Sequence, residues 1–221
     1  MFSIAIDGPA GAGKSTIAKL IAKDLGFIYV DTGAMYRAMA LYFIRNGIDG
    51  QDVEAIEKAC PDILVSLAYD EEGRQQVLLN GENVTPFIRD EEVGKMASVS
   101  SAIPAVRASL LDLQRNMALT NNILMDGRDI GTHVLPDASL KIYLTASSAV
   151  RAKRRYDELC EKGLVCDLAQ IEEDIITRDT QDMSRAIAPL KQASDAILVD
   201  SSHMTIEEVV ETIESEYRKL L

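Results

Sequence analysis

The sequence predicts an α/β fold in which five parallel strands form a sheet with helices on both faces. Short apolar runs alternate with stretches of helical periodicity along most of the chain, an order typical of parallel sheets. Hydrophobic residues make up 47% of the 221 residues, enough for one well-filled core. We therefore expect a single domain over residues 1–221, with a small antiparallel insertion at about 60–90 and a short helical lid at about 150–167.

The first predicted strand, Ser3–Asp7, runs into a loop that fills the pattern G-x-x-x-x-G-K-[ST] from Gly8 to Ser15. A helical pattern follows the loop, and this strand–loop–helix context argues against a chance match and for a phosphate-binding P-loop. Backbone N–H groups of the small residues can line an anion site, Lys14 adds charge for the β- and γ-phosphates, and the Ser15 hydroxyl can hold Mg²⁺. We expect ATP to contact Gly8, Pro9, Ala10, Gly11, Ala12, Gly13, Lys14, Ser15 and Thr16.

A second strand and helix are predicted over Phe27–Val30 and about Met35–Arg45, joined by Asp31-Thr32-Gly33. Arg37 lies at the start of this helix, close to the carboxyl end of the strand. Ligands of open α/β sheets bind at the carboxyl ends of the strands, so we interpret Arg37 as a ligand-binding residue.

The alternation is interrupted at about 60–90, where three short strands are predicted at Ile63–Tyr69, Gln75–Leu79 and Asn83–Phe87. The turn residues 70–73 and Asn80-Gly81 separate these runs, as in antiparallel hairpins. Two helices are expected next, over about 91–101 and 104–118.

The remaining chain returns to the alternating pattern. Strands are predicted at Asn122–Met125, Leu140–Leu144 and Ala196–Val199, and helices at about Ser148–Lys162, Leu168–Gln181 and Thr205–Leu220. These strands complete the five-stranded sheet.

Arginine residues recur at positions suited to phosphate binding. Arg128 and Asp129 follow the strand 122–125, and Arg178, Asp182 and Arg185 stand at i, i+4 and i+7 on one predicted helix face. An exposed face with ion pairs is the alternative for this helix. Guanidinium groups match phosphate oxygens in two-point geometry. Several arginines that converge on one cleft therefore indicate that the cleft binds more than one phosphate-bearing ligand.

A further basic cluster, 151–155, begins the helix of the predicted lid. Either this is a solvated helix face, or it is a mobile lid that closes over the triphosphate. In the second interpretation Arg154 contacts ATP.

Composition excludes several classes of partner. The net charge of −12 repels nucleic-acid polymers and acidic membranes, and no apolar run approaches the ~20 residues of a membrane span. No targeting segment is evident at the N-terminus, so a soluble, cytoplasmic protein is expected.

Cys60, Cys160 and Cys166 have neither disulfide-framework nor zinc-site spacing and are interpreted as reduced thiols. Nothing in the sequence implies a protein partner.

The sequence offers no convincing general base, since His133 and His203 are isolated. A phosphate acceptor needs none, because a phosphomonoester is largely dianionic at pH 7. The arginines and the missing base together point to a nucleoside monophosphate as acceptor. Asp126 is either a ligand of the metal through water or a strand-end cap.

With these segments assembled, the chain resembles the bacterial cytidylate kinases, the CMP/dCMP kinases among the P-loop kinases of nucleoside monophosphates. The motifs that carry the resemblance run through nearly the whole sequence; they are Ile6–Ser15, Asp31–Arg37, Asp126–Thr132, Arg178-Asp179, Asp182, Arg185 and Ala188-Pro189-Leu190.

The resemblance implies a Mg²⁺-dependent transfer of the γ-phosphoryl group of ATP to CMP or dCMP, with the insertion at 60–90 on the acceptor side. It implies that Arg37 and Arg128 hold the acceptor phosphate, and that Arg178 and Asp182 contact the sugar and nearby phosphate. Cytosine contacts are implied for Ser98, Arg107 and Asp129, and Thr32 stands where serine is also common. Lys14, Arg128, Arg178 and Arg185 are the expected catalytic residues, with Ser15 and Asp126 at the metal.

Two alternatives remain open from the sequence. One is a related kinase with another acceptor, such as UMP, dTMP or a phosphate-free metabolite. The other is a non-enzymatic P-loop module that binds a protein partner, although such a switch has no need of the additional arginines at the strand ends.

Overall fold

The computed structural model describes all 221 residues, Met1–Leu221. The chain forms two compact units. The first comprises Met1–Tyr29 and Asn121–Leu221, and the second comprises Val30–Thr120.

The chain contains eight strands and eight α-helices. The strands are β1 (Ser3–Asp7), β2 (Ile28–Asp31), β3 (Val65–Tyr69), β4 (Gln75–Leu79), β5 (Glu82–Asn83), β6 (Ile123–Gly127), β7 (Leu140–Thr145) and β8 (Ile197–Asp200). The helices are α1 (Lys14–Leu25), α2 (Thr32–Arg45), α3 (Val53–Ala59), α4 (Glu91–Ser100), α5 (Pro104–Thr120), α6 (Ser148–Glu161), α7 (Leu168–Ser184) and α8 (Ile206–Arg218). None of the helices is long and apolar enough to cross a membrane.

The larger of the two sheets is parallel, with five strands in the order β2-β6-β1-β7-β8. Apart from the last two residues of β2, these strands belong to the first unit. β1 lies at the centre of the sheet, which explains why Ile4, Ala5 and Ile6 are completely buried. In the parallel register Asp7 stands opposite Gly127 of β6 and Tyr143 of β7. The carboxyl ends of the three central strands therefore meet at one edge of the sheet, where the glycine-rich loop begins.

Two helices of this unit share one hydrophobic core with the sheet. Ile17 and Ile21 of α1 lie one turn apart and are buried together with Val209 and Ile213 of α8. The start of α8 is held by a capping box, in which the Thr205 hydroxyl accepts the N–H of Glu208 and the Glu208 carboxylate accepts the N–H of Thr205. Local capping and the apolar face thus specify the same position for the helix.

The second unit is organised around α2, whose side chains Met35, Ala38 and Met39 are fully buried. Asp31 caps this helix by accepting the backbone N–H of Ala34 at 2.9 Å. The small sheet β3-β4-β5 is antiparallel, with Val65 opposite Leu79 at one end of the first hairpin.

The predicted fold class is confirmed, with local differences. The expected strand Asn83–Phe87 is wrong beyond Asn83, because Thr85 accepts the N–H of Val77 through its side chain and Pro86 has no N–H to donate. Helix α3 was not predicted, since one short amphipathic stretch carries too weak a periodic signal. The single domain, the insertion at 60–90 and the lid at 150–167 stay predictions.

Gly8 gives a test of how closely the central strands approach. Its φ is +148°, and a Cβ there would lie 1.9 Å from the carbonyl oxygen of Leu144 in β7. Gly8→Ala therefore requires the backbone of the sheet to shift, and we expect a loss of at least about 2 kcal/mol in the free energy of unfolding. Urea denaturation measures this loss.

Gly26→Ala is the matched control, because Gly26 also has a positive φ of 66° but no atom within 4 Å of the added Cβ. We expect it to cost only about 1 kcal/mol from backbone strain. Equal losses in the two variants would contradict the close approach.

Candidate active site

The P-loop forms a concave turn between β1 and α1. Gly11 and Gly13 adopt left-handed backbone conformations, with φ of 75° and 89°. α1 begins at Lys14 directly after the turn and has no acidic residue in its first turn. The partial positive charge at this helix start is therefore available to an anion.

The side chain of Lys14 folds back over the loop. Its Nζ donates a hydrogen bond to the carbonyl oxygen of Pro9 at 2.8 Å, and the residue is buried. Burial, assisted by the positive charge of Arg128, lowers the pKa of Lys14 to about 7. The positive charge of the Lys14 ammonium group is thus not fully balanced by nearby carboxylates, and a bound polyanion would favour the charged form.

The two predicted metal ligands lie in contact. Ser15 donates its hydroxyl hydrogen to Oδ2 of Asp126 at 2.9 Å, and Tyr29 donates its phenol hydrogen to Oδ1 at 2.9 Å. Asp126 lies inside β6 and is buried. A hydroxyl and a carboxylate in contact are the oxygen ligands that Mg²⁺ prefers.

Asp182 of α7 brings the predicted arginines of the first unit together. Arg128 donates through Nε to its Oδ2 at 2.9 Å, and Arg185 pairs with its Oδ1. Burial would raise the pKa of Asp182, but the charges of Arg128, Arg185 and Arg178 hold it below its usual range.

Asp182 is only 2% exposed, so the alternative of a solvated helix face is wrong. The helix ends at Ser184, and Arg185 is its C-cap residue. Arg185 therefore reaches Asp182 from just beyond the end of the helix. The i+7 spacing, in contrast, predicts that Arg185 lies on the helix itself.

Asp129 follows Arg128 and is buried at the carboxyl end of β6. Its carbonyl oxygen accepts the N–H groups of His133 and Val134, at 2.8 and 3.1 Å. The segment that carries the two predicted residues is thus a compact turn.

Asp7 supports this turn from β1 and was not predicted. Its carboxylate accepts the backbone N–H groups of Ile130 at 2.8 Å and Gly131 at 2.7 Å. Burial raises the pKa of Asp7 to about 6, although these two hydrogen bonds oppose the shift. No sequence signal distinguishes this carboxylate from an ordinary residue at a strand end.

Arg151 of α6 belongs to the basic cluster of the predicted lid, but its burial and its contacts were not predicted. Its guanidinium donates through Nε to the carbonyl oxygen of Ala146 at 2.8 Å and through Nη1 to that of Ala10 at 2.9 Å. Nη2 lies 2.6 Å from Oδ2 of Asp179. Arg151 is buried and holds the P-loop backbone to α6 and α7.

The arginine side chains of the basic cluster 151–155 therefore lie in different environments. Arg154 donates to the carbonyl oxygen of Ser201 at 2.8 Å, and its Nη1 lies 4.0 Å from the position of a Cβ on Gly13. Arg155 faces solvent and pairs with Glu158. A helical pattern identifies the basic side chains but not which of them are buried.

In the second unit, Thr32 is buried at the first position of α2 and Arg37 lies one turn further. Arg89 donates to Oδ2 of Asp31 at 2.7 Å. Burial opposes ionisation of Asp31, yet the charges of Arg89 and Arg37 lower its pKa below the usual range. One buried carboxylate thus holds two guanidinium groups near the start of α2.

The predicted cytosine residues of this unit lie on α4 and α5. Arg107 is buried, donates to the carbonyl oxygen of Ser101 at 3.3 Å, and stands 5.5 Å from the ring centroid of Tyr36. Ser98 lies on α4, one turn before Ser101. Tyr36 was not predicted as a site residue.

A phosphate cradle backed by buried arginines on one α/β unit is characteristic of P-loop phosphotransferases. The model of the cytidylate kinase family matches residues 4–219. The cytidylate kinase of Pelotomaculum thermopropionicum is 50% identical over 211 residues, which cover 96% of this chain and 93% of that protein. The cytidylate kinase of Bacteroides fragilis is 48% identical over 223 residues, covering 99% and 97%. The chain belongs to the cytidylate kinase family.

A solved structure also matches the fold over its whole length. An uncharacterised protein from Eubacterium ventriosum has a TM-score of 0.55 and 10% sequence identity, with 99% of each chain covered. At this identity the likeness shows the fold alone.

Arg151→Lys tests the role of the buried guanidinium. Lysine keeps the charge but cannot make the three directed contacts, so we expect the free energy of unfolding to fall by about 2 kcal/mol. Arg155→Lys on the same helix is the control and should leave it nearly unchanged, because Arg155 faces solvent. Similar urea midpoints for the two variants would refute the structural role.

Asp7→Asn tests the buried carboxylate through pH. Because the folded pKa lies above the unfolded value, the native state binds more protons between pH 4 and 6, and stability falls as pH rises through this window. The asparagine variant lacks this titration. We expect the stability of the unaltered protein relative to the variant to decrease by roughly 2 to 3 kcal/mol across the window.

Urea denaturation of both proteins at several pH values between 4 and 7 measures this difference. A difference that is constant with pH, or that grows as pH rises, would contradict the raised pKa of Asp7.

Proposed function

We propose that this chain transfers the γ-phosphoryl group of ATP to the phosphate of CMP or dCMP, giving ADP and CDP or dCDP. The observation that carries this proposal is the ion-paired group of Arg128 and Arg185 around the buried Asp182 on the unit that holds the P-loop, in a chain of the cytidylate kinase family. Several guanidinium groups beside a phosphate cradle suit a reaction in which phosphate charge is redistributed.

The donor side is assigned to the P-loop. Backbone N–H groups of the loop and the start of α1, with Thr16, are proposed to bind the triphosphate, and Lys14 its β- and γ-phosphates. Arg154 lies close enough to Gly13 to add charge at the same loop. Arg151 is proposed to act indirectly, by holding the carbonyl of Ala10 in place.

Mg²⁺ fits the residues present at the loop. Ser15 and Asp126 would hold it, since their oxygen atoms already meet at 2.9 Å. Mg²⁺ is commonly bound by one or two protein oxygens together with substrate phosphates, so a larger protein cage is unnecessary. When bound, the ion supplies charge neutralisation on the phosphate oxygens.

The transfer itself depends on orientation and charge. Arg128, Arg178 and Arg185 are proposed to stabilise the negative charge that spreads over the transferred group, and Asp182 orients two of these guanidinium groups. The acceptor phosphate is largely dianionic at pH 7, so no general base has to remove a proton. Exclusion of water is required to prevent hydrolysis of ATP.

The residues proposed to bind CMP are Thr32, Arg37, Ser98, Arg107, Arg128, Asp129, Arg178 and Asp182. Cytosine presents an amino donor and two acceptors, whereas uracil reverses this pattern at two atoms. A carboxylate, a guanidinium and a hydroxyl can match the cytosine edge, and uracil would leave buried polar groups unpaired. The cytoplasm stays the predicted compartment.

An acceptor panel tests the proposal. ADP release is measured with ATP, Mg²⁺ and one acceptor at a time, namely CMP, dCMP, UMP, dTMP or cytidine. We expect CMP or dCMP to give a kcat/KM at least about tenfold above UMP, because mismatched polar groups discriminate strongly. Turnover with UMP equal to that with CMP would contradict the assignment, and ATP binding without turnover on any acceptor would favour the non-enzymatic module.

A further inference from the structure

The chain reverses direction sharply at the end of α6. The N–H of Leu164 bonds to the carbonyl of Leu159 at 3.0 Å, and the N–H of Gly163 bonds to that of Cys160 at 2.9 Å. Gly163 is left-handed, with a φ of 73°. This is the geometry of a Schellman motif, and it returns the following residues alongside the last turns of α6.

The reversal brings two cysteine side chains together. The Cys166 thiol lies 3.9 Å from the carbonyl oxygen of Tyr156, which is one helical turn before Cys160. Desolvation and a hydrogen bond with Cys160 raise the pKa of the Cys166 thiol, and a hydrogen bond with Cys160 raises that of the Tyr156 phenol. The Cys166 thiol therefore lies beside the turn of α6 that carries Cys160. The third cysteine, Cys60, is buried in the second unit.

We propose that Cys160 and Cys166 are a redox modification site, at which a low-molecular-weight disulfide forms a reversible intramolecular disulfide that slows turnover. The effect on turnover rests on the proposed kinase function, whereas the modification itself does not. Because Cys166 already lies beside the turn that carries Cys160, α6 need not unfold for the two Cβ atoms to reach the ~3.5–4.5 Å separation of a disulfide.

The chemistry is thiol–disulfide exchange in two steps. The thiolate of Cys160, which is exposed, attacks one sulfur of the small disulfide, and one small thiolate leaves. The thiolate of Cys166 then attacks the Cys160 sulfur of the mixed disulfide and expels the second small thiolate. The protein loses two hydrogens and gains one S–S bond, while the small disulfide is reduced to two thiols.

The Cys160–Cys166 disulfide would restrain residues 162–167, the segment between α6 and α7. We call this segment the tip. Val165 is fully exposed and Leu164 is 55% exposed, so burial of apolar side chains does little to fix the tip. The opposite end of α6 carries Arg151, bonded to Ala10 of the P-loop. A disulfide at the tip would thus oppose any rearrangement of α6 and α7 as nucleotide binds and leaves.

The first experiment tests the modification without any activity readout. The purified chain is equilibrated with mixtures of reduced and oxidised glutathione, then alkylated and analysed by intact mass and by peptide mapping. We expect a loss of two hydrogens and a peptide that links Cys160 to Cys166, in the unaltered protein and in Cys60→Ala. No linked peptide, a disulfide that involves Cys60, or a stable glutathione adduct on Cys160 would overturn the proposal.

The second experiment measures ADP release with CMP before and after oxidation. We expect kcat to fall about fivefold or more and to recover with dithiothreitol, since a restrained lid slows conformational steps. Cys160→Ser and Cys166→Ser should keep the reduced activity and lose the response to oxidation.

Different results would count against the disulfide, its effect on turnover and the kinase function. An unchanged kcat in protein that carries the mapped disulfide would overturn the effect on turnover. The same response in Cys160→Ser would also overturn it, because the cause would then lie at another residue. Absence of activity with every acceptor in the reduced protein would instead count against the proposed function, while the mapped disulfide would still support the modification site.

Discussion

The buried ion pairs of Asp182 are the interaction on which the site of the first unit depends. One carboxylate compensates two guanidinium groups, those of Arg128 and Arg185, so the group as a whole keeps a positive charge. Lys14 lies close enough for Arg128 to depress its pKa. Uncompensated charge in a buried setting is costly, and an anion that enters removes this cost. The remaining positive charge of this group thus favours phosphate, although the net charge of the chain is −12.

Two further buried side chains determine the backbone around that charge. Asp7 holds the turn after β6 through the N–H groups of Ile130 and Gly131, and Arg151 holds the carbonyl of Ala10 in the P-loop. Neither residue is assigned to a nucleotide. Their contribution is to fix the peptide groups that face one, because backbone donors bind an anion only when they are oriented beforehand. The second unit repeats this principle at Asp31, which caps α2 and pairs with Arg89.

Much of this could be predicted from sequence, because the relevant signals are local. The P-loop is contiguous, and the strands β1, β4 and β7 follow from short apolar runs whose bounds agree closely with the structure. The burial of Arg151 could not be predicted, since its partners Ala10 and Asp179 are distant in sequence. The contact between Ser15 and Asp126 likewise depends on the register of β1 with β6. Contacts between residues that are distant in sequence can be predicted only when the tertiary fold is known.

The central claim is that the fork of Arg128, oriented by Asp182, stabilises the transferred group and contributes little to ATP affinity. Arg128→Lys keeps the charge and removes the two-point geometry. The direct measurement is kcat for CMP phosphorylation beside the Kd for ATP from calorimetry. The account predicts a fall in kcat of about 100-fold or more with a Kd that changes by less than about threefold. Equal losses in both quantities, or loss of neither, would contradict it.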